Sequence, residues 1–223
     1  MSSSDKKPLD PAQRFPLPVR WAMFFVGIFI MAFAIGITVH AGLGTTTISA
    51  LPVVSSAAFG ISLGWTTVIF NAVLVVGQML ILRSKFKAHM LIQIVWAFLF
   101  GFLCDVALLI TGWAETDNYA LSWVWIILGT VLISIGVFIQ VLANVTFLAG
   151  EGFVSALVTA FPKVQFGTMK QIVDWSFITL AAILSLATMG ALVGVREGTV
   201  FAAFFIGFFV TLWRKLYLKS IGR

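Results

Sequence analysis

The sequence predicts an all-α membrane protein with six transmembrane helices and two short half-helices, arranged as two inverted-topology repeats of three spans each. Three observations lead to this fold class. The chain is 61% hydrophobic and only 10% charged, which lies outside the range of soluble domains. Its apolar segments have the lengths of membrane spans. Each half of the chain also carries a Gly-rich stretch that leads into Ser-Ala-Leu, which indicates a duplicated unit.

The first apolar segment predicts one span followed by a break. Residues 21–60 contain no Lys, Arg, Asp or Glu, and this run is about twice the length that one transmembrane helix needs. Gly and Thr residues at 41–47 interrupt the apolar pattern, so we expect the helix to end there. Residues 48–58 are then too short to span and are predicted to form a half-helix. Protein must cover this break, because exposed backbone is not tolerated in lipid.

The same criteria divide the rest of the chain into five further spans and a second half-helix. The spans are predicted at residues 62–82, 88–110, 121–143, 167–187 and 199–217, and the second half-helix at 152–161. The predicted organisation is a cytoplasmic tail at 1–20, a first membrane repeat at 21–111, an external connection at 112–120, a second membrane repeat at 121–218 and a cytoplasmic end at 219–223.

The duplication is visible in two pairs of aligned segments. AGLGTTTISAL at 41–51 aligns with FLAGEGFVSAL at 147–157, which places Thr45 opposite Glu151. After a short gap, SLGWTTVIFNAV from residue 62 aligns with QFGTMKQIVDWS from residue 165. This second alignment pairs Asn71 with Asp174, and also Gly64 with Gly167 and Thr67 with Lys170. The order of the matches is the same in both halves, as a duplicated unit requires.

The distribution of basic residues predicts the orientation. Most of them fall in the tail, in the connections near residues 83–87 and 163, and at the chain end, which are all on one side of the predicted topology. Arg196 is the single basic residue, of 14, that is placed on the opposite side. Both termini are therefore predicted to be cytoplasmic. The net charge of +6 follows from this orientation, so no nucleic-acid partner is expected.

Charged residues inside apolar segments are the first candidates for a site, because a charge in a membrane is costly unless it is paired or solvated. Lys170 and Asp174 stand four residues apart on one helix face and can pair directly. Either they line a central site or they only neutralise each other. Glu151 lies between Gly150 and Gly152 at the start of the second half-helix. There it could cap the helix, or bind a cation, a proton or a substrate amine.

Neutral and peripheral polar groups form a second set of candidates. Gly44, Thr45 and Thr46 precede the first half-helix and could donate hydrogen bonds to an anion, or the threonines could cap that helix. Asn71 belongs to the same predicted site through its alignment with Asp174. Three charged residues near span ends are expected to serve as gates or as structural groups: Asp105, Arg196 and Glu197.

Several functions are not expected from the sequence. His40 and His89 are isolated, so no metal site is predicted, and no cofactor is expected. No nucleophile and base are paired in a motif, which argues against an intramembrane enzyme. The single Cys104 excludes an internal disulfide scaffold.

The segments GLGTTTISAL, LAGEGFVSAL, FGTMKQIVD and GVREGT resemble the bacterial YczE/YyaS/YitT membrane-protein family, over roughly residues 20–217. The resemblance implies a multi-pass protein of the bacterial plasma (inner) membrane, with a Gly-rich stretch after its first span. Many family members have a Gly-x-x-Pro-x-Asp turn where this chain has Thr45-Thr46-Thr47 and Glu151-Gly152. The resemblance therefore bears on fold and location more than on substrate.

Inverted repeats with interrupted helices are the architecture of many secondary transporters. We therefore expect a small secondary transporter for a polar organic solute or anion, coupled to a proton or cation, with the lipid bilayer and the solute as its partners. The alternatives are a substrate-binding subunit of an ATP-driven importer and a membrane scaffold without a ligand. Oligomeric state stays open between monomer and homodimer, since four glycines suit close helix packing within or between chains: Gly27, Gly36, Gly129 and Gly136.

Overall fold

The computed structural model describes residues 15–220, and every regular element in that part of the chain is helical. Six helices are long and apolar enough to cross a membrane, as in a multi-pass membrane protein. They are α1 (Leu17–His40), α3 (Leu63–Leu82), α4 (Ile92–Ile110), α5 (Tyr119–Ala143), α7 (Phe166–Met189) and α8 (Glu197–Ser220). The two short helices are α2 (Thr47–Phe59) and α6 (Ala149–Ala160). The predicted fold class of six spans and two half-helices is confirmed.

Some predicted boundaries were wrong by a few residues. The tail was expected to reach Arg20, but α1 begins at Leu17, because Pro18 lies in the first turn, where its missing N–H costs nothing. The second half-helix was expected from Gly152, yet α6 begins at Ala149 and so includes Glu151 in its first turn. The remaining part of the predicted tail, residues 1–14, and residues 221–223 lie outside the described residues.

The long helices alternate in direction between two ends of the bundle. At one end, the start of α1 meets the end of α5, where the Arg20 Nε donates to the Ala143 carbonyl at 2.7 Å. We call this the basic end, because the connection with Arg83 and Lys85 also lies there. At the other, far end, the His40 Nε2 lies 2.9 Å from the Leu108 carbonyl oxygen and joins α1 to α4.

The centre of the bundle is the crossing of α1 and α5, which glycines allow to approach closely. A Cβ placed on Gly27 would lie 2.9 Å from the Gly136 carbonyl oxygen. Gly129 fits in the same way against Thr38, and Gly36 against Ala107. These four glycines therefore serve helix contacts within one chain. Around this crossing, Phe24, Ile28, Met31 and Ile133 form a buried core.

Each half-helix packs against the opposite repeat. The α2 helix packs on α7, and the α6 helix packs on α3, so the two repeats exchange their short helices. The starts of both half-helices meet inside the bundle, where the Ile48 side chain touches the Gly150 backbone. Because each half-helix is enclosed by the other repeat, its interrupted backbone is covered by protein, as the membrane requires.

Candidate functional site

A small cavity, which we call the central cavity, lies where the first turns of α2 and α6 meet. Its volume is about 20 Å³, roughly the space that one water molecule occupies. Its polar lining residues are Ser49, Thr67, Asn71 and Glu151, and the remaining lining is Met31, Ile48, Pro52, Phe70, Phe100, Leu148 and Gly150. In this conformation, the central cavity therefore has no room for an organic solute.

Glu151 is the ionisable residue of the central cavity. It is the third residue of α6, and no side chain caps the start of this helix in the described part of the chain. The residue as a whole is half-buried, but its Oε2 is enclosed and has no hydrogen-bond partner among the described residues. Leaving a buried polar atom unsatisfied costs about 1–3 kcal/mol, and more for a charged group. The carboxyl group is therefore placed to bind a proton or a ligand.

The residue that corresponds to Glu151 in the first repeat is Ser49, not Thr45 as the sequence alignment predicted. The α2 helix begins at Thr47 and α6 at Ala149, so Ser49 and Glu151 are each the third residue of a half-helix. The sequence alignment, which matches the two Ser-Ala-Leu segments, differs from the match of the helix starts by about one helical turn. A shift of one turn leaves each residue on the same helix face. The alignment of α3 with α7 agrees with the structure, because Ser62 and Gln165 are the two N-cap residues.

A proline interrupts the hydrogen bonding of α2 beside the central cavity. Pro52 has no N–H, so the carbonyl of Ile48 lacks the donor that it would have in a regular helix. Both Ile48 and Pro52 line the cavity. The Pro52 carbonyl accepts from the Thr66 hydroxyl at 2.9 Å, which joins α2 to α3 at this level. The sequence contained this signal, a proline inside a predicted half-helix, although Pro52 was not among the predicted site residues.

The predicted neutral donors Thr45 and Thr46 make other hydrogen bonds, and Gly44 packs closely against the start of α8. The Thr45 amide donates to the Thr199 hydroxyl at 3.0 Å, and the Thr46 hydroxyl donates to the Ser49 hydroxyl at 3.0 Å. Gly44 has a φ of +100°, and a Cβ there would lie 2.9 Å from the backbone nitrogen of Arg196. These residues connect α2 to the start of α8 and do not line the central cavity.

Lys170 and Asp174 form the ion pair that their spacing predicts. The Lys170 Nζ lies 2.6 Å from the Asp174 Oδ1, and the side chains are 27% and 17% exposed. Neither residue lines the central cavity, although both stay within electrostatic range of Glu151. Asn71, which aligns with Asp174, does line the cavity, and its amide nitrogen donates to the Thr67 carbonyl at 2.8 Å.

The three charged residues at span ends have structural contacts. Asp105 of α4 holds the start of α3, because its Oδ1 accepts from the Gly64 amide at 2.6 Å and its Oδ2 from the Ser62 hydroxyl at 2.8 Å. At the far end, Arg196 pairs with Glu197 at 3.1 Å and donates to the Gly42 carbonyl at 3.0 Å. Asp105 is therefore a capping residue, while Arg196 joins the start of α8 to the connection after α1.

Two larger cavities lie on either side of the central one. The far-end vestibule, about 410 Å³, is lined by α2 and by residues of two connections: Gly42, Gly44, Thr45, Leu192, Val193, Gly194 and Arg196. The basic-end vestibule, about 360 Å³, is lined by α6, by residues 144–147, by the facing ends of α3 and α4, and by Lys85 and His89 of the connection between them. The central cavity therefore lies between one vestibule at each end of the bundle.

The sequence analysis missed a buried amide pair at the floor of the basic-end vestibule. Gln78 of α3 and Gln93 of α4 bind each other and also line this vestibule. Two uncharged but strongly polar residues inside apolar spans were the available signal. No group of three or more His, Cys, Asp or Glu residues is arranged to hold a metal ion in residues 15–220.

The chain belongs to a family of unknown function, DUF6198, whose model matches residues 18–215. No curated protein and no solved structure matches the chain. The resemblance to the YczE/YyaS/YitT proteins stays a prediction, because nothing in this family match connects the two. The match reaches from the start of α1 into α8 and includes both half-helices, so the central cavity lies within the family's own region.

Proposed function

We propose that this protein is a small secondary transporter for a polar organic solute or anion, with Glu151 as the residue that exchanges a coupling proton or binds a cation. The observation that carries the proposal is the enclosed Glu151 Oε2 without a described partner, placed where two inverted half-helices meet. Inverted repeats with interrupted helices at the centre of the bundle are a common basis of alternating access.

The arrangement of cavities supports this proposal. A vestibule lies at each end of the bundle, and the cavity between them is closed to anything larger than about one water molecule. A continuous pore would need an open path, whereas alternating access includes a state that is closed at both ends. Arg196 and Lys85, one in each vestibule, would attract an anionic solute.

The proposed location is the bacterial inner membrane, with the basic end in the cytoplasm. The basic connection at Arg83 and Lys85 lies at the same end as the start of α1, which is the distribution that the positive-inside rule associates with the cytoplasmic face. Lys170 is proposed to assist electrostatically, by favouring an anionic group near Glu151.

The test begins with a thermal-shift screen of the purified protein against organic acids, amino acids, sulfonates, amines and simple ions at two pH values. A stabilising compound is then followed as uptake into proteoliposomes with an imposed pH gradient. We expect Glu151→Gln to reduce uptake to the level of protein-free liposomes, because the amide cannot exchange the coupling proton. The matched control is Glu115→Gln, which changes an exposed carboxylate outside the spans and should transport normally.

Three results would contradict the proposal. Normal uptake by Glu151→Gln would remove Glu151 from the coupling step. Tight solute binding without uptake, together with a co-purifying ATPase, would favour the importer subunit instead. Absence of any stabilising compound across the screen would favour the scaffold.

A further inference from the structure

A reciprocal pair of buried amides holds the first turn of α6. The Gln78 Nε2 donates to the Gln93 Oε1 at 3.0 Å, and the Gln93 Nε2 donates back to the Gln78 Oε1 at 3.2 Å. The Gln78 Nε2 also donates to the Ala149 carbonyl at 3.2 Å. Gln78 and Gln93 are only 1% and 5% exposed. One network of side-chain hydrogen bonds therefore joins α3, α4 and α6.

This network lies between two cavities. Gln78, Gln93 and Gly152 line the basic-end vestibule. Gly150 and Glu151, in the same turn of α6, line the central cavity. The first turn of α6 is therefore the wall between the two spaces, and the amide pair is bound to that wall.

Gly152 allows the wall to approach the amides closely. A Cβ at this position would lie 2.7 Å from the Gln93 Oε1 and 2.8 Å from the Gln78 Oε1. A larger residue here would displace the side-chain amides or push α6 away from them. The glycine after Glu151 thus has a specific role, which is to seat α6 on the two side-chain amides.

From this arrangement we propose that Gln78 and Gln93, seated against Gly152, form the gate between the central cavity and the basic-end vestibule. When the pair releases the Ala149 carbonyl, the first turn of α6 moves away from α3 and Glu151 becomes accessible from the basic end. The amides can be released reversibly because they border a vestibule, where water replaces each broken hydrogen bond.

The proposed gate rests on the proposed transport function, but its test needs no solute. The single native cysteine allows a clean background, Cys104→Ser, in the full-length protein. Ser49→Cys then serves as a reporter inside the central cavity. Its reaction with a charged, membrane-impermeant methanethiosulfonate is measured from each face of sealed vesicles, because the reagent is larger than the closed cavity and reacts only when a path opens.

We expect Gln78→Ala and Gly152→Ala to raise the labelling rate from the basic end by roughly 5- to 10-fold. Loss of about one hydrogen bond should shift the equilibrium between the closed and the open gate by this factor. Labelling from the far end should not change. The matched controls are Gln165→Ala, at an exposed glutamine, and Gly167→Ala, where no atom of the described residues lies within 4 Å of the added Cβ. Both controls should label like the background.

Equal labelling of variants and background would overturn the gate, and so would an increase of similar size from both faces, which is the result expected if the pair only stabilises the fold. Gln93→Ser replaces any variant that does not give a folded, monodisperse protein. Faster labelling from the basic end in a protein that transports no solute would keep the gate and contradict the proposed function, so the two can fail separately.

Discussion

The two repeats share one arrangement of helices but differ in how their last two spans pack. In the first repeat, α3 and α4 are in close contact, and a Cβ on Gly101 would lie 2.5 Å from the Gly64 carbonyl oxygen. In the second repeat, α7 and α8 barely touch. Gly167 aligns with Gly64, and Gly207 aligns with Gly101 when Phe100-Gly101-Phe102 is matched with Ile206-Gly207-Phe208. No atom of a neighbouring described element lies within 4 Å of a Cβ placed on Gly167 or Gly207.

The polar contacts differ in the same way. Asp105 of α4 binds the start of α3. Thr211 stands four residues after Gly207, as Asp105 stands four residues after Gly101, but its hydroxyl donates to the Gly207 carbonyl within its own helix, at 2.9 Å. The α8 helix is held mainly by α5 and, through Gly198 and Thr199, by the connection before α2. The duplicated sequence therefore gives one firmly paired repeat and one loosely paired repeat. The loose repeat is the one that carries Glu151.

The difference in glycine packing affects which helices should move together. Glycines in a helix lower its intrinsic stability unless close packing uses the space that they leave. Gly64 and Gly101 use that space, so α3 and α4 should move as one unit. Gly167 and Gly207 have no such contact in this conformation, so close glycine packing does not hold α7 and α8 together at these positions. We expect the second repeat to supply most of the conformational change.

The largest effect should come from filling the close contact of the first repeat. Gly64→Ala places a Cβ against the Gly101 carbonyl oxygen, at 2.5 Å, and against the Asp105 carboxylate. Overpacking of this kind lowers the free energy of unfolding by about 1–3 kcal/mol. The measurement is thermal unfolding of the purified protein in detergent.

The matched variant in the second repeat is Gly207→Ala, which adds the same methyl group to open space. Its melting temperature should stay at or above that of the unchanged protein, because alanine favours a helix over glycine. Equal destabilisation by both variants would show that α7 and α8 pack as closely as α3 and α4.

A smaller effect should follow from removing the carboxylate that joins α4 to α3. Asp105→Ala leaves the Gly64 amide and the Ser62 hydroxyl without their acceptor. Loss of a helix N-terminal acceptor costs about 0.5–2 kcal/mol. The expected result is a lower melting temperature for Asp105→Ala and an unchanged one for Thr211→Ala. A neutral Asp105→Ala variant would mean that the capping contact contributes nothing to the rigidity of the first repeat.

The sequence predicted the fold because segment length and charge placement are strong signals in a membrane. A run such as residues 21–60 exceeds one span and must break, whatever its tertiary contacts are. The Lys170–Asp174 pair was also predictable, since four residues bring two side chains to one helix face. These features depend on local spacing alone.

The site was harder to predict because its residues come from different helices. A displacement of one helical turn keeps a short match on the same face, so the Ser-Ala-Leu alignment concealed that Ser49 corresponds to Glu151. The Gln78–Gln93 pair requires contact between two helices that the sequence cannot place. Lys170 was expected in the cavity, but its pairing with Asp174 leaves it outside the cavity lining.

The smallest effect should come from the aromatic contact between α7 and α8. The Trp175 and Phe204 rings meet edge to face with centroids 5.7 Å apart, which is the ring contact that joins these two helices in the described part of the chain. Phe204→Leu keeps an apolar side chain and removes the ring. The free energy of unfolding should therefore fall by no more than an aromatic pair contributes, about 0.5–1.5 kcal/mol.

The matched control for this last variant is Phe98→Leu, which removes the edge-to-face partner of Trp65 between α3 and α4. If the first repeat is held by Gly64, Gly101 and Asp105, loss of its aromatic pair should leave α3 and α4 together. Hydrogen exchange of backbone amides separates the two outcomes. Faster exchange in α7 and α8 for Phe204→Leu, with no change in α3 and α4 for Phe98→Leu, is expected. Equal changes in both repeats would mean that aromatic contacts, and not the glycine packing, set the difference between them.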